Sequence, residues 1–148
     1  MSKKSIILIF ILILSPALIY FLWPSDESRI KKLIKEGAAA VEKEEVDNVM
    51  SEVSFNYQDE HGLTYILIKQ ILGNQFKALS GIKIEYENLK IEVKEKLANA
   101  EFDLRVIATI GNDTGYIIGD LKNPAHVRLA LEKERVSWLV TKTEGLSF

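Results

Sequence analysis

At Gly81 the hydrophobic period of this chain changes from that of a helix to that of a strand. Ahead of it, Ile30, Leu33, Ile34, Ala38 and Val41 recur at helical spacing, as do Ile68, Ile71, Leu72, Gln75, Phe76 and Leu79. Behind it, Ile82, Ile84 and Tyr86 alternate with Lys83, Glu85 and Glu87. The alternation returns where Ala100, Phe102, Leu104, Val106, Ala108 and Ile110 face one way and Glu101, Asp103 and Arg105 the other. Helices grouped ahead of hairpin-linked strands define an α+β fold, with the helices packed on an antiparallel sheet.

The boundaries follow from local chemistry. Ser25 caps the first of these helices, and Asp26 and Glu27 fall in its first turn, where the helix dipole favours acids. Gly37 and the alanines 38–40 predict close packing against a neighbour. A shorter helix is expected over residues 46–53, and Thr64 caps a third that ends at Ser80 and Gly81. The apolar positions of the next strand move from even to odd across Glu87 and Asn88, because Leu89, Ile91 and Val93 continue the pattern. A regular strand cannot do this without turning its core face to water, so a β-bulge is predicted near Asn88. Turns are predicted over 95–97 and 111–115. Val127, Leu129 and Leu131 mark another strand, Lys133, Glu134 and Arg135 a hairpin connection, and Trp138 and Val140 the last strand. The expectation is three helices on a curved antiparallel sheet of about four strands, a cone with an interior.

A separate segment precedes this domain. An apolar run begins at Ile6 and closes at Trp23, interrupted only by Ser15 and Pro16. Eighteen residues at about 1.5 Å each reach about 27 Å, close to the hydrocarbon thickness of a bilayer. Tyr20 and Trp23 sit near its end, where amphipathic rings favour the interface. Read as a cleaved signal peptide, it has Lys3 and Lys4 before the core and a small-residue site at 15–17. Cleavage there would leave the apolar residues 18–23 as a new terminus, so an uncleaved signal-anchor helix over residues 1–24 is the preferred reading, with the α+β domain at 25–148. Lys3 and Lys4 favour a cytoplasmic amino end; Arg29, Lys31, Lys32 and Lys35 read as the solvated face of a folded helix. The expected location is a cell membrane, crossed once, with the domain on the extracytoplasmic side.

Composition narrows the chemistry. The absence of Cys among 148 residues excludes a disulfide scaffold, a thiol nucleophile and a lipidated cysteine. Beyond Lys3 and Lys4, 17 basic residues stand against 21 acidic ones, which argues against a nucleic-acid surface. His61 and His126, the two histidines, are far apart, and no His-Glu-x-x-His, phosphate-binding glycine loop or Gly-x-Ser-x-Gly elbow is present. No metal and no cofactor is expected.

The order of elements resembles the nuclear-transport-factor-two-like superfamily, the cystatin-like cone shared with SnoaL-like polyketide cyclases and ketosteroid isomerase. The features that carry the likeness are the amphipathic opening helix and the acidic entry to the next, Glu44, Glu45, Val46 and Asp47. They continue through residues 55–62 (Phe-Asn-Tyr-Gln-Asp-Glu-His-Gly), 82–86, 127–134 and the closing Trp138, Leu139 and Val140. The resemblance implies a cone that serves enzymes, small-ligand binders and interaction domains alike, and fold does not select among them. Dimers through the open sheet, also implied by the likeness, make a homodimer the expected assembly. Similar folds place an Asp or His in the cone to move protons, which makes Asp59 and His61 the candidate catalytic pair; Asp59 and Glu60 also read as closing a turn with Gly62. Tyr57, Asp59, Tyr86 and Trp138 are the candidate binding residues.

Three functions follow. A membrane-tethered domain holding an apolar small molecule or lipid requires a sizeable cavity with few polar groups. An assembly module of an envelope complex, similar in plan to type IV secretion scaffolds, requires a filled cone and an exposed apolar patch. A small isomerase or cyclase requires an acid buried beside Tyr57 with a raised pKa. Binding or interaction ranks ahead of catalysis, because no second convergent acid is evident.

Overall fold

The computed structural model describes residues 3–146. Four helices, α1 (Lys3–Leu22), α2 (Asp26–Glu42), α3 (Val46–Ser51) and α4 (Tyr65–Ala78), precede five strands, β1 (Leu79–Lys94), β2 (Leu97–Ile110), β3 (Asp113–Ile118), β4 (Ala125–Glu134) and β5 (Ser137–Glu144). The chain is α+β, with α2 to α4 set against a curved antiparallel sheet in the order β1-β2-β4-β5. One edge of β2 pairs with β1; the other is shared, with β4 along Leu97 to Leu104 and β3 along Val106 to Ile110. Helix α1 is long and apolar enough to cross a membrane, and none of its residues is buried.

The expected bulge is present. Asn88 has a φ of 58°, and the β1–β2 register shifts between Glu87 and Lys90. Its side-chain amide donates to Asp103 Oδ2 at 2.8 Å, and Leu89 and Ile91 then return to the core side. Gly81 corrects the reading of the third helix. It does not end that helix; α4 stops at Ala78, and Leu79 and Ser80 already pair with Ile110 and Thr109. The long strand β2 offers free backbone groups there, and Gly81, at a φ of 58°, absorbs a second register shift. Helix α3 ends at Ser51 rather than 53, because the chain turns to lie along β5: Val140 N–H donates to Glu52 O, and Ser54 N–H donates to Val140 O, each at 2.9 Å. Strand β3 was not foreseen. Gly115 breaks its pattern, and Tyr116, Ile117 and Ile118 follow without alternation.

The core lies between α2 and the concave face of the sheet. Ile30, Leu33 and Ile34 of α2 meet Ala98, Ala100, Phe102, Leu104, Val106 and Ala108 of β2, with Val127, Leu131, Trp138 and Val140 beside them. Each large apolar side chain so buried contributes roughly 1.5–3 kcal/mol. Ser25 caps α2, its hydroxyl accepting from Ser28 N–H at 3.1 Å. Asp26 then fastens the start of α2 to the sheet: its Oδ1 accepts from Lys133 Nζ and Trp138 Nε1, both at 2.9 Å.

Those bonds carry a pH signature. The hydrogen bond from Lys133, then that from Trp138, holds the Asp26 carboxyl below its ordinary range. The stabilisation is present above the unfolded-state value and is lost as pH falls through the lower folded value. Asp26→Asn is therefore expected to lose stability at pH 7 and to approach the parent only as pH falls below the ordinary carboxylate range, as read by urea unfolding at a series of pH values. A difference independent of pH would contradict the assignment.

Candidate functional site

The cone encloses a cavity of about 280 Å³, open on one side. Leu33, Ile34, Gly37, Ala38 and Val41 of α2 form one wall, and Ile68, Ile71 and Leu72 of α4 another. The sheet contributes Ile84, Tyr86, Phe102, Leu104, Val127, Leu129, Val140 and Thr143. The apolar stripe of α4 is only half buried, because it faces this space rather than packed side chains.

Gly37 keeps the cavity open. Close packing was expected of it, yet a Cβ built there meets nothing within 4 Å. The small residues Gly37 and Ala38 border empty volume instead of an apposed element.

Two of the four candidate binding residues line the cavity. Tyr57 is buried in its wall, and burial, with Thr143 opposing, pushes its phenol up. Its hydroxyl donates to Asp59 Oδ2 at 3.4 Å. Tyr86 also faces the cavity, its ring edge-on to Phe102 at 5.9 Å between centroids. Asp59 stands behind Tyr57, outside the lining. Its Oδ1 accepts from the backbone N–H groups of His61 and Leu63, each at 2.9 Å, and Gly62, with φ 77°, donates its N–H to Asp59 O at 3.1 Å. That is the turn read from residues 59–62. His61 is exposed, its ring 3.8 Å from Glu60. Trp138 is buried on the other side of α2's first turn, bonded to Asp26, and borders an outer groove with Ser28, Arg29 and Lys32.

Glu52 lines the cavity and was missed. It is the only charged residue in the described lining. The sequence carried a signal: on a helix running to residue 53, Val49, Glu52 and Val53 would share one face, although α3 itself ends at Ser51. Burial pushes its carboxyl up, nearby Glu36 adds to the shift, and Lys32 opposes it. A raised carboxyl makes the folded state prefer the protonated form, so the penalty is present above the folded value and disappears below the unfolded one. Glu52→Gln is expected to raise the unfolding temperature at pH 7 and to lose that advantage near pH 4, a comparison made by circular dichroism melts.

The convex face of the sheet is a ladder of charged pairs. Arg105 Nη1 lies 2.8 Å from Glu87 Oε1, His126 Nδ1 3.0 Å from Asp103 Oδ1, and Arg128 Nε donates to Glu101 Oε1 at 2.7 Å. Such exposed pairs are worth little individually, and Glu101, Asp103 and Arg105 share the face opposite the apolar one, as their alternation requires. Among the described residues, no group of three or more His, Asp or Glu side chains is placed to hold a metal ion.

Comparison with solved structures places the architecture. A Nostoc punctiforme protein of unknown function with a cystatin-like fold superposes with a TM-score of 0.63 at 19% identity, covering 80% of this chain and 87% of its own. A nuclear-transport-factor-two-like protein from Novosphingobium aromaticivorans, also of cystatin-like fold, gives 0.65 at 13% identity, covering 80% and 79%. The fold is the nuclear-transport-factor-two-like cone. A further protein of that type, of unknown function, from Pseudomonas putida gives 0.61 at 15% identity, covering 79% and 82%. No family model and no curated protein matches the sequence. At these identities the likeness fixes the cone and leaves its use to the residues that line it.

Proposed function

We propose that this protein is a membrane-tethered binding domain whose cone holds one apolar small molecule or lipid chain. The supporting observation is the cavity itself: about 280 Å³, walled almost wholly by apolar side chains, and left open by Gly37. Ligand sites are of this kind, concave and apolar with a few polar groups that set orientation. Tyr57, Thr143 and Glu52 supply those groups here. Helix α1 acts as an uncleaved single-pass anchor, and the domain stands on the extracytoplasmic side. A ligand drawn from the adjacent bilayer then has a short path to the cone.

One observation favours assembly as a second reading. Phe55 is 80% exposed and Ile66 68%, and the ring of Phe55 lies 4.6 Å from that of Tyr65. These side chains form an apolar patch beside the start of α4 that suits an envelope protein or a second copy of the chain. An isomerase or cyclase reading has less support, because the Asp59 carboxylate is occupied by two backbone N–H groups and the Tyr57 hydroxyl.

The test is a fluorescence titration of the full chain in lipid nanodiscs with N-phenyl-1-naphthylamine, a neutral apolar probe. Saturable enhancement at one probe per chain, above that of empty discs, is expected. A signal equal to that of empty discs would overturn the binding reading.

A further inference from the structure

The connection between α1 and α2 consists of Trp23, Pro24 and Ser25 alone. Fully extended, it spans no more than about 14 Å. Whatever lies against the first turn of α2 is therefore held close to the end of α1. Two hairpin turns meet that condition. The β4–β5 turn is fixed to α2 by Lys133 and Trp138, both bonded to Asp26, and by Arg29, which donates to Val136 O. The β1–β2 turn is fixed to its neighbour, because Lys133 N–H donates to Lys96 O at 2.8 Å.

The apices of these turns are unusual for a solvated surface. Leu97 is 60% exposed and Val136 70%, and Val93 stands beside them at 38%. Lys94, Lys96 and Arg135 flank them, exposed, with no ion-pair partner among the described residues; Glu92, Glu95 and Glu132 are the exposed acids nearby. Aliphatic tips ringed by long basic side chains suit the boundary between headgroups and acyl chains, where the apolar part is buried and the charge reaches phosphate. Exposed bases and acids balance here, so the attachment draws on apolar insertion and on the proximity that the tether enforces.

We infer that the β1–β2 and β4–β5 turns rest in the headgroup layer of the membrane that α1 enters, with Leu97 and Val136 inserted at its apolar boundary. This rests on the reading of α1 as an uncleaved span. Contact at two turns fixes the tilt of the domain, so that β2 runs away from the bilayer and its far turn at Asn112 stands roughly 45 Å off.

The native chain has no cysteine, so single-cysteine variants of the full chain report position directly. Leu97→Cys, Val136→Cys, Asn112→Cys and Ile13→Cys would each carry a nitroxide label, in nanodiscs of phosphatidylcholine with a minority of phosphatidylglycerol. The ratio of collision rates with oxygen and with a water-soluble nickel chelate gives depth. At positions 97 and 136 it should exceed that at 112 several-fold, while position 13 reports hydrocarbon. Labels at 97 and 136 as water-exposed as that at 112, with position 13 still in hydrocarbon, would overturn the inference and leave the anchor standing. A water-exposed label at position 13 would overturn the anchor, and the inference with it.

Discussion

A phenylalanine in place of Gly37 is expected to abolish capture of an apolar ligand while the domain stays folded. The backbone there is ordinary helix, and a Cβ meets nothing within 4 Å, so the new ring enters the cavity rather than a packed wall. Glycine is the poorest residue for a helix interior apart from proline, and exchanging it for phenylalanine recovers a few tenths of a kcal/mol of helix propensity. Gly37→Ala is the matched control. It should gain about 0.5–1 kcal/mol in urea unfolding and keep capture, because a methyl group leaves most of the space free. A Gly37→Phe chain that binds as the parent does would place the ligand somewhere other than the cone.

Ile30→Ala should show the opposite pattern, with a large loss of stability and no direct effect on the cavity. Ile30 has no solvent exposure, sits on the α2 face that meets the sheet, and does not border the cavity. Truncation there removes buried methylenes and leaves a void, at about 3–4 kcal/mol. For a domain of this size, that lowers the unfolding temperature by roughly 10 °C or more. A loss below about 1 kcal/mol would mean that α2 is not seated on the sheet as described.

Much of the fold was legible because burial imposes periodicity. The alternation from Ala100 to Ala108 reads directly as one buried face, although Ile110, read as its last member, is exposed at the strand end; the phase slip at Asn88 could be met only by a bulge. Strand β3 was hidden because it covers only the upper part of β2 and is mostly exposed, so no face constrained its sequence. Gly81 was misread because a positive φ serves a helix end and a bulge equally well.

The site was less legible, since a cavity is an absence of atoms. Nothing in the residue pattern tells a glycine that admits a neighbour from one that borders empty space, and Gly37 proved to be the second. Tyr57 and Tyr86 reached the cavity because they lie on the inward face of their segments. Trp138 is equally buried, yet its side chain is drawn to Asp26, a partner distant in sequence. Glu52 has helical spacing to Val49 and Val53, but it caps the end of the six-residue α3 instead of lying within it, so no helical stripe marks it.

The central claim is that the cone carries an apolar molecule. Its most direct test is native mass spectrometry of the full chain, expressed in its own host, extracted in native nanodiscs and compared with Gly37→Phe. The account predicts a reproducible added mass on the parent chain, released on unfolding and absent from the variant. A parent chain that emerges without added mass, or an added mass that persists unchanged in Gly37→Phe, would contradict it.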